Sequence, residues 1–221
     1  MDVQIIVAII SSTVAIVTLL ITSIYRYLEL KEVRNAERRK EINSKLNDFY
    51  GPIISYLNVV KALYKLFFSN KPQNFRTLTY LLDPNQEYQT DKGIVKVKLS
   101  EVDKKLLSEI IETERKIEDL ILTKSGLIDD DKLTFGHMSS KAVSSQTIND
   151  TSLIATVLSH FRLLRMAYNN EIKGDIEKFK GFVYPRQFDI EIKKKIDDLR
   201  NELKILDNNK IVDFIHEFFK N

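Results

Sequence analysis

The strongest constraint on this chain is an uncharged apolar run near its start, residues 5–24, with the sequence IIVAIISSTVAIVTLLITSI. An α-helix rises about 1.5 Å per residue, so a run of about 20 residues spans the roughly 30 Å hydrocarbon core of a bilayer. No Lys or Arg precedes the run and no small-x-small cleavage site follows it, which disfavours a secretory signal peptide. The sequence therefore predicts a retained transmembrane helix.

The basic residues nearest this run all lie on its C-terminal side. They are Arg26, Lys31, Arg34, Arg38, Arg39, Lys40 and Lys45. Segments rich in Lys and Arg stay on the cytoplasmic side of a membrane, so we expect the N-terminus outside and the C-terminal domain in the cytoplasm. The same side chains attract anionic lipid headgroups, which makes the bilayer surface a predicted partner.

A stripe of small residues runs along the predicted membrane helix. Its members are three or four residues apart and comprise Ala8, Ser11, Ala15, Thr18 and Thr22. This spacing places small side chains on one face, where a second helix can approach closely, so we expect a homo-oligomer that forms through this seam. The alternative is that the hydroxyl groups only bond back to carbonyls of their own helix.

Composition favours helices for the rest of the chain. Six Gly and four Pro among 221 residues disfavour turn-rich β folds, and the absence of Cys excludes disulfides and thiolate metal sites. A net charge of +3 is too small to indicate a nucleic-acid partner. We predict an all-α protein with a transmembrane anchor (residues 1–25), a charged helical stalk (residues 26–48) and a cytoplasmic helical bundle (residues 49–221).

The junction between stalk and bundle is a segment of four residues, Phe49, Tyr50, Gly51 and Pro52. The Gly-Pro pair predicts a break or kink, and Asn47 or Asp48 could cap the helix that follows and reaches about Phe68. A Pro in the first turn of a helix is tolerated because its missing N–H would have no partner there. We expect the four junction residues to fix the angle between stalk and bundle.

Periodic apolar residues predict five further helices, near residues 76–82, 100–124, 149–172, 189–206 and 210–219. Ser100 and Asp103 form a capping-box pattern at the start of the second of these. Residues 83–93 have the composition of a polar linker, and residues 94–99 alternate as a strand does, without an evident partner strand. Residues 129–150 are polar and rich in Ser, which predicts a mobile loop.

Few residues in the sequence could carry chemistry. None of the common metal, nucleotide or hydrolase motifs occurs, and the three histidines, His137, His160 and His216, are far apart in the chain. We therefore predict no metal, no cofactor and no small-molecule substrate. The one candidate catalytic group is His160 with Arg162 or Arg165, as base and phosphate clamp for RNA cleavage. On a helix, however, neither Arg shares a face with His160.

The order of these parts resembles a group of small bacterial single-pass membrane proteins. The resemblance rests on KLNDFYGP (residues 45–52), KSGLID (residues 124–129), the helix that contains His160, and Tyr184-Pro185. The layout is similar to that of the small membrane accessory proteins of type VI-B CRISPR loci. That resemblance implies a helical domain distantly like the HEPN ribonucleases, a pore-forming oligomer in the bacterial inner membrane, a role in antiphage defence, and a CRISPR effector or RNA as partner.

Together these features predict a self-associating helical protein that perturbs or permeabilises the inner membrane during antiphage defence. Two alternatives stay open. A membrane-tethered, HEPN-like ribonuclease would use His160, but the Arg-to-His spacing of the HEPN signature occurs at none of the three histidines. A passive tether would recruit a cytoplasmic partner through residues 129–150.

Replacing both Ala8 and Ala15 with Leu tests the seam. The larger side chains would keep a second helix from approaching closely, so we expect a smaller particle in detergent, measured by light scattering after size-exclusion chromatography. An unchanged particle mass would show that this stripe is not the contact between copies.

Overall fold

The computed structural model describes residues 3–91, 93–128, 133, 152–179 and 181–207. These residues are mostly helical, which confirms the predicted fold class at that level. Contacts divide the chain into two compact units. The first comprises Met1–Ser44 and Leu199–Asn221, and the second, which we call the helical body, comprises Lys45–Asp198.

The elements follow the predicted order. They are α1 (Val3–Lys45), a π-helical turn (Leu46–Tyr50), α2 (Gly51–Phe67), α3 (Thr77–Leu82), β1 (Glu87–Thr90), β2 (Gly93–Lys96), α4 (Glu101–Thr123), a 3₁₀ turn (Ser125–Leu127), α5 (Leu153–Tyr168), α6 (Ile176–Phe179) and α7 (Gln187–Asp207). The sequence did not predict α6. The loop expected at residues 129–150 lies outside the described residues, apart from Leu133, and so does the helix expected at residues 210–219.

Helix α1 contains the apolar run and continues without interruption to Lys45, so it includes most of the predicted stalk. It is long and apolar enough to cross a membrane, and none of its most apolar stretch is buried within the chain. Leu19 and Ile16, for example, expose 68% and 59% of their surface. Since a helix satisfies its backbone hydrogen bonds internally, this stretch meets the main requirement for lying in hydrocarbon.

Within the first unit, the end of α7 is bonded to the stalk part of α1. Arg38 donates two hydrogen bonds to the carboxylate of Glu202, at 2.6 and 3.0 Å. Arg39 donates to the carbonyl of Leu206 at 2.6 Å. The contacts thus group Leu199 and the residues after it with the stalk, whereas the sequence-based division assigns them to the cytoplasmic bundle.

The segment predicted as a junction begins the helical body without a break. The N–H of Gly51 donates to the carbonyl of Leu46, the wide spacing of a π-helix, and neither Asn47 nor Asp48 caps α2. The predicted cap is therefore wrong. Pro52 has no N–H to donate. The wider π-helical turn before it accommodates this residue, so the helix continues past it.

The first two junction residues are part of the core of the helical body. Phe49 and Tyr50 expose 1% and 0% of their surface, and their rings meet edge to face at 4.9 Å. Their predicted role in fixing an angle between stalk and bundle stays a prediction.

A short β-hairpin replaces the linker expected at residues 83–93. Strands β1 and β2 are antiparallel, with Tyr88 opposite Val95 and Thr90 opposite Gly93. Gly93 has a φ of +111°, which favours glycine, and it closes the turn. The strand predicted near residues 94–99 is therefore present, and its partner lies in the segment that polar composition led us to assign to a linker.

The core of the helical body forms where α2 packs on α4, and where α3 and α4 pack on α5. Its largest buried apolar side chains include Ile53, Leu57 and Phe67 of α2, Leu107, Ile110 and Ile117 of α4, and Phe161 and Leu164 of α5. The capping box of α4 is confirmed, because Ser100 Oγ accepts from the N–H of Asp103 and the Asp103 carboxylate accepts from the N–H of Ser100.

The close approach at Gly51 generates a stability prediction. A Cβ at this position would lie 2.6 Å from the carbonyl oxygen of Leu46, too near for any real contact. We expect Gly51→Ala to lower the free energy of unfolding by about 1–3 kcal/mol, measured as a lower thermal midpoint of the detergent-solubilised chain. The matched control is Gly126→Ala, because nothing lies within 4 Å of its Cβ position. Equal effects of the two substitutions would contradict the prediction.

Candidate functional site

The helical body contains a cavity of about 750 Å³. Residues from α2, α3, β1, α4, α5, α6 and the start of α7, and from the segments next to them, line it. This volume lies in the range of about 300–1,000 Å³ that small-molecule sites occupy. The cavity is therefore the candidate functional site of the body, although the sequence indicated no small-molecule ligand.

Aromatic rings form much of the cavity wall. Phe161 of α5 stacks on Tyr184, with ring centroids 5.9 Å apart and planes inclined by 20°. Tyr64 and Phe68 stack in the same way at 5.5 Å and 18°. All four residues line the cavity. They offer flat apolar surfaces to a ligand that carries a ring.

The most unusual polar group in the wall is the carboxyl of Glu114 on α4, which exposes 2% of its surface. The hydroxyl of Tyr64 donates to Oε1 at 3.3 Å, whereas Oε2 has no hydrogen-bond partner among the described residues. Burial raises the pKa of Glu114 to about 8, so this carboxyl is mostly protonated at pH 7. The same burial, together with the charge and hydrogen bond of Glu114, raises the pKa of Tyr64 well above its usual value.

A second unsatisfied polar atom belongs to another residue of the cavity wall. Thr77 on α3 exposes 7% of its surface, and its Oγ1 has no hydrogen-bond partner within the part of the chain that the structure describes. A buried hydroxyl or carboxyl without a partner costs about 1–3 kcal/mol. Both atoms lie out of reach of a water molecule, so these unsatisfied groups are inside the packed wall and not on the surface of the cavity.

Basic side chains lie where the cavity meets solvent. Lys61, Arg76 and Arg186 all line it and are exposed. Lys61 forms an ion pair with Asp189 at 2.7 Å. Tyr184 also donates to Asp189, and burial together with that hydrogen bond raises the pKa of Tyr184 well above its usual value.

His160, the predicted catalytic base, lines this cavity as well. Its Nδ1 lies 3.1 Å from the carbonyl oxygen of Phe182, so we assign a proton to Nδ1 and a free lone pair to Nε2. Burial lowers the pKa of His160, although the bond to Phe182 opposes this effect. The imidazole is therefore neutral at pH 7 and available as an acceptor.

Arg162 and Arg165 are brought together at a different place. Both bind the carboxylate of Glu118 on α4, at 2.5 and 2.8 Å. Burial alone would raise the pKa of Glu118, but the hydrogen bonds from Arg165 and Arg162 hold it below its usual value. The three residues of the ribonuclease hypothesis are thus divided between two sites, with His160 in the cavity wall and the two guanidinium groups on Glu118.

The predicted seam lies on the exposed surface of α1. Ser11, Ala15, Thr18 and Thr22 are exposed, while the side chain of Ala8 lies outside the described part of the structure. Thr18 donates to the carbonyl of Val14 at 2.8 Å, and Thr22 donates to that of Thr18 at 2.7 Å. These bonds are the ones that the alternative interpretation expects, so self-association through the seam stays a prediction.

Two of the three histidines, His137 and His216, lie outside the described residues. Among the residues that the structure does describe, no group of three or more His, Cys, Asp or Glu side chains could hold a metal ion.

Sequence reasoning missed Glu114, and a signal for it was present. Glu114 lies four residues after Ile110 and three before Ile117, within the apolar stripe of α4. A carboxyl at such a position must either be paired or be protonated. Thr77 and the exposed basic residues of the cavity had no comparable signal in the sequence. Their position in the cavity wall depends on how α3 and the segment before α7 pack.

No protein-family description, curated protein or solved structure matches this chain.

The raised pKa of Glu114 predicts a pH dependence of stability. In the unfolded chain the carboxyl loses its proton near pH 4.5, and in the folded chain near pH 8. Between these values the folded state holds a proton that the unfolded state has released, so stability falls as pH rises. We expect Glu114→Gln to remove this decline and to raise the thermal midpoint at pH 8, followed by circular dichroism from pH 5 to 8.5.

The matched control is Glu112→Gln, two residues away on the same helix. Glu112 bonds to Arg115, and this bond lowers its pKa. The control should therefore keep the decline between pH 5 and 8. If Glu114→Gln keeps it too, the carboxyl of Glu114 is ionised in the folded protein at pH 7.

Proposed function

We propose that this protein is a membrane-anchored, self-associating effector that perturbs or permeabilises the inner membrane in antiphage defence. The observation that carries the proposal is the apolar stretch of α1, none of which is buried within the chain. Burial of each such side chain is worth about 1.5–3 kcal/mol, so exposure of the whole stretch to water is strongly unfavourable. Lipid and further copies of the same helix are surroundings that can supply this burial.

The distribution of charge supports a cytoplasmic position for the helical body. Exposed basic residues follow the apolar stretch along α1, among them Arg26, Arg34 and Lys40. Such residues favour the cytoplasmic side, and each contributes about 1 kcal/mol of attraction to an anionic lipid surface. Both effects hold the stalk at the inner leaflet.

A single membrane helix cannot enclose a channel, so permeabilisation requires several copies. The seam gives a reason for copies to meet, because Ser11, Ala15, Thr18 and Thr22 form a narrow exposed stripe that lets two helices approach closely. The threonine hydroxyls keep a free lone pair after they donate to their own helix, so such an assembly would carry a polar line along each helix. The role in antiphage defence rests on the resemblance of the sequence.

The contacts of the helical body do not favour the ribonuclease alternative. Arg162 and Arg165 are both engaged by Glu118, and a guanidinium already bonded to a carboxylate is a poor clamp for phosphate. A distant HEPN-like arrangement of the helices remains part of the proposal through the resemblance. The docking segment of the passive tether, residues 129–150, lies outside the described residues except for Leu133.

Overexpression of the full chain in bacteria tests the effector proposal. We expect loss of membrane potential, read with a potential-sensitive dye, and recovery of the protein in the membrane fraction. Replacing Thr18 and Thr22 together with Leu should reduce the depolarisation, because the polar line along the assembly is lost.

The control variant for this experiment is Thr13→Leu. Thr13 makes the same kind of bond, to the carbonyl of Ile9 at 2.8 Å, but lies off the seam. It should depolarise cells as the natural chain does. Recovery of the protein in the aqueous fraction would refute the anchor, and membrane insertion without any change in potential would refute the effector role.

A further inference from the structure

We propose that the cavity of the helical body binds a long-chain fatty acid, with its acyl chain against the apolar wall and its carboxylate at Arg76 and Arg186. This inference goes beyond the membrane role, because it concerns only residues of the helical body. It rests on three features of one cavity: its size, its accessible apolar side chains, and exposed cations without ion-pair partners.

The size of the cavity favours a ligand with a long apolar group. A cavity of about 150 Å³ already holds one benzene molecule, whereas this cavity has a volume of about 750 Å³. A single ring or a small organic anion would therefore leave most of the space unfilled. A long acyl chain occupies several times the volume of one ring, so it fits the space better.

Much of the accessible wall of the cavity is apolar. Several apolar and aromatic side chains line the cavity and keep part of their surface accessible, namely Phe68, Ile176, Phe179, Phe182, Val183 and Tyr184. Removal of such surface from water is favourable in proportion to the area covered. The unsatisfied atoms of Glu114 and Thr77 lie inside the packed wall, so they do not oppose an apolar ligand. An acyl chain can therefore cover the accessible wall without leaving a polar atom at its surface unpaired.

The exposed charges of the cavity favour an anion. Arg76 and Arg186 line it, are exposed and have no ion-pair partner among the described residues. Lys61 is paired with Asp189, and Glu177 is the other acidic lining residue outside the packed wall. Three basic side chains thus face two acidic ones, which leaves one positive charge in excess. A ligand carboxylate balances this charge and accepts charge-assisted hydrogen bonds from a guanidinium group.

Other classes of ligand fit these features less well. A sugar or a sugar phosphate would place hydroxyl groups against the apolar wall, where they lose their hydrogen bonds to water. An organic cation would be repelled by the two arginines, and a neutral hydrocarbon would gain nothing from them. A fatty acid also reaches the protein readily, because α1 is able to cross a bilayer and fatty acids dissolve in bilayers.

The test is photolabelling of the full-length chain in nanodiscs of phosphatidylcholine, a lipid without net charge. The probe is a palmitate analogue with a diazirine in its chain, and labelled peptides are identified by mass spectrometry. We expect labels on the cavity wall, at Phe179 and Phe182, that excess palmitate removes. Labels on the apolar stretch of α1 come from probe dissolved in the bilayer, so they should persist and serve as the internal reference. Hexadecanol, which has the same chain without the charge, should need an at least about tenfold higher concentration to remove the cavity labels.

A double arginine variant locates the carboxylate. Replacing Arg76 and Arg186 together with Ala should weaken palmitate binding about tenfold, measured as the palmitate concentration that halves the cavity labels. The matched control replaces Arg115 and Arg200 with Ala. Both are exposed arginines outside the cavity, so this control should bind palmitate as the natural chain does.

A larger side chain in the wall tests the position of the acyl chain. Val183 lines the cavity and exposes 53% of its surface, so Val183→Trp should occupy part of the space and reduce the label at Phe182. The matched control is Leu122→Trp on α4, because Leu122 exposes 50% of its surface and lies outside the cavity. This control should leave the label unchanged.

Three results would overturn the proposal. They are cavity labels that excess palmitate leaves in place, equal competition by hexadecanol and palmitate, and a double arginine variant that binds palmitate as tightly as the natural chain. Stronger competition by lysophosphatidylglycerol than by palmitate would assign the cavity to a phospholipid instead. The comparison of palmitate with hexadecanol uses the natural chain, so it does not depend on how a variant folds. Each of these results is independent of whether the protein depolarises membranes.

Discussion

The buried inner face of α4 is the constraint on which the helical body depends. Helices α2 and α5 pack against this face, and the face carries two glutamates one turn apart among isoleucines. Glu118 meets two arginines and stays ionised, while Glu114 meets a tyrosine hydroxyl and holds its proton. Glu114 is more deeply enclosed than Glu118 and is bonded to no cation, so burial and partners together decide which carboxyl is charged. The ionised carboxylate bonds α5 to α4, and the neutral one lies within the packed wall of the cavity.

Each of the two units contains groups that the described chain itself does not satisfy. In the first, α1 exposes an apolar stretch that water cannot stabilise, and lipid or further copies can cover it. In the second, the cavity wall contains polar atoms that nothing in the described chain satisfies. Both are local costs, and folded proteins keep such costs most often where they bind something.

Local rules predicted the elements well and their partners poorly. The Ser100 and Asp103 cap of α4 was predicted correctly because a capping box needs only residues within one turn. The cap at Asn47 or Asp48 was wrong, since Gly51 allows a π-helical turn whose carbonyl approach no other residue tolerates. Strand β1 was missed because a polar strand in a two-stranded hairpin has no periodic apolar signal to show it.

By itself the sequence determined the helix that is able to cross a bilayer, because helix length against hydrocarbon thickness depends only on counting uncharged residues. It also determined most helix positions, because apolar periodicity is a local property. Only the tertiary structure decided the cavity, the protonation of Glu114 and the separation of His160 from its arginines. The bonds concerned join residues far apart in the chain, 50 positions for Tyr64 to Glu114 and 47 for Glu118 to Arg165. Their formation, and the burial that shifts each pKa, depends on how α2, α4 and α5 pack together.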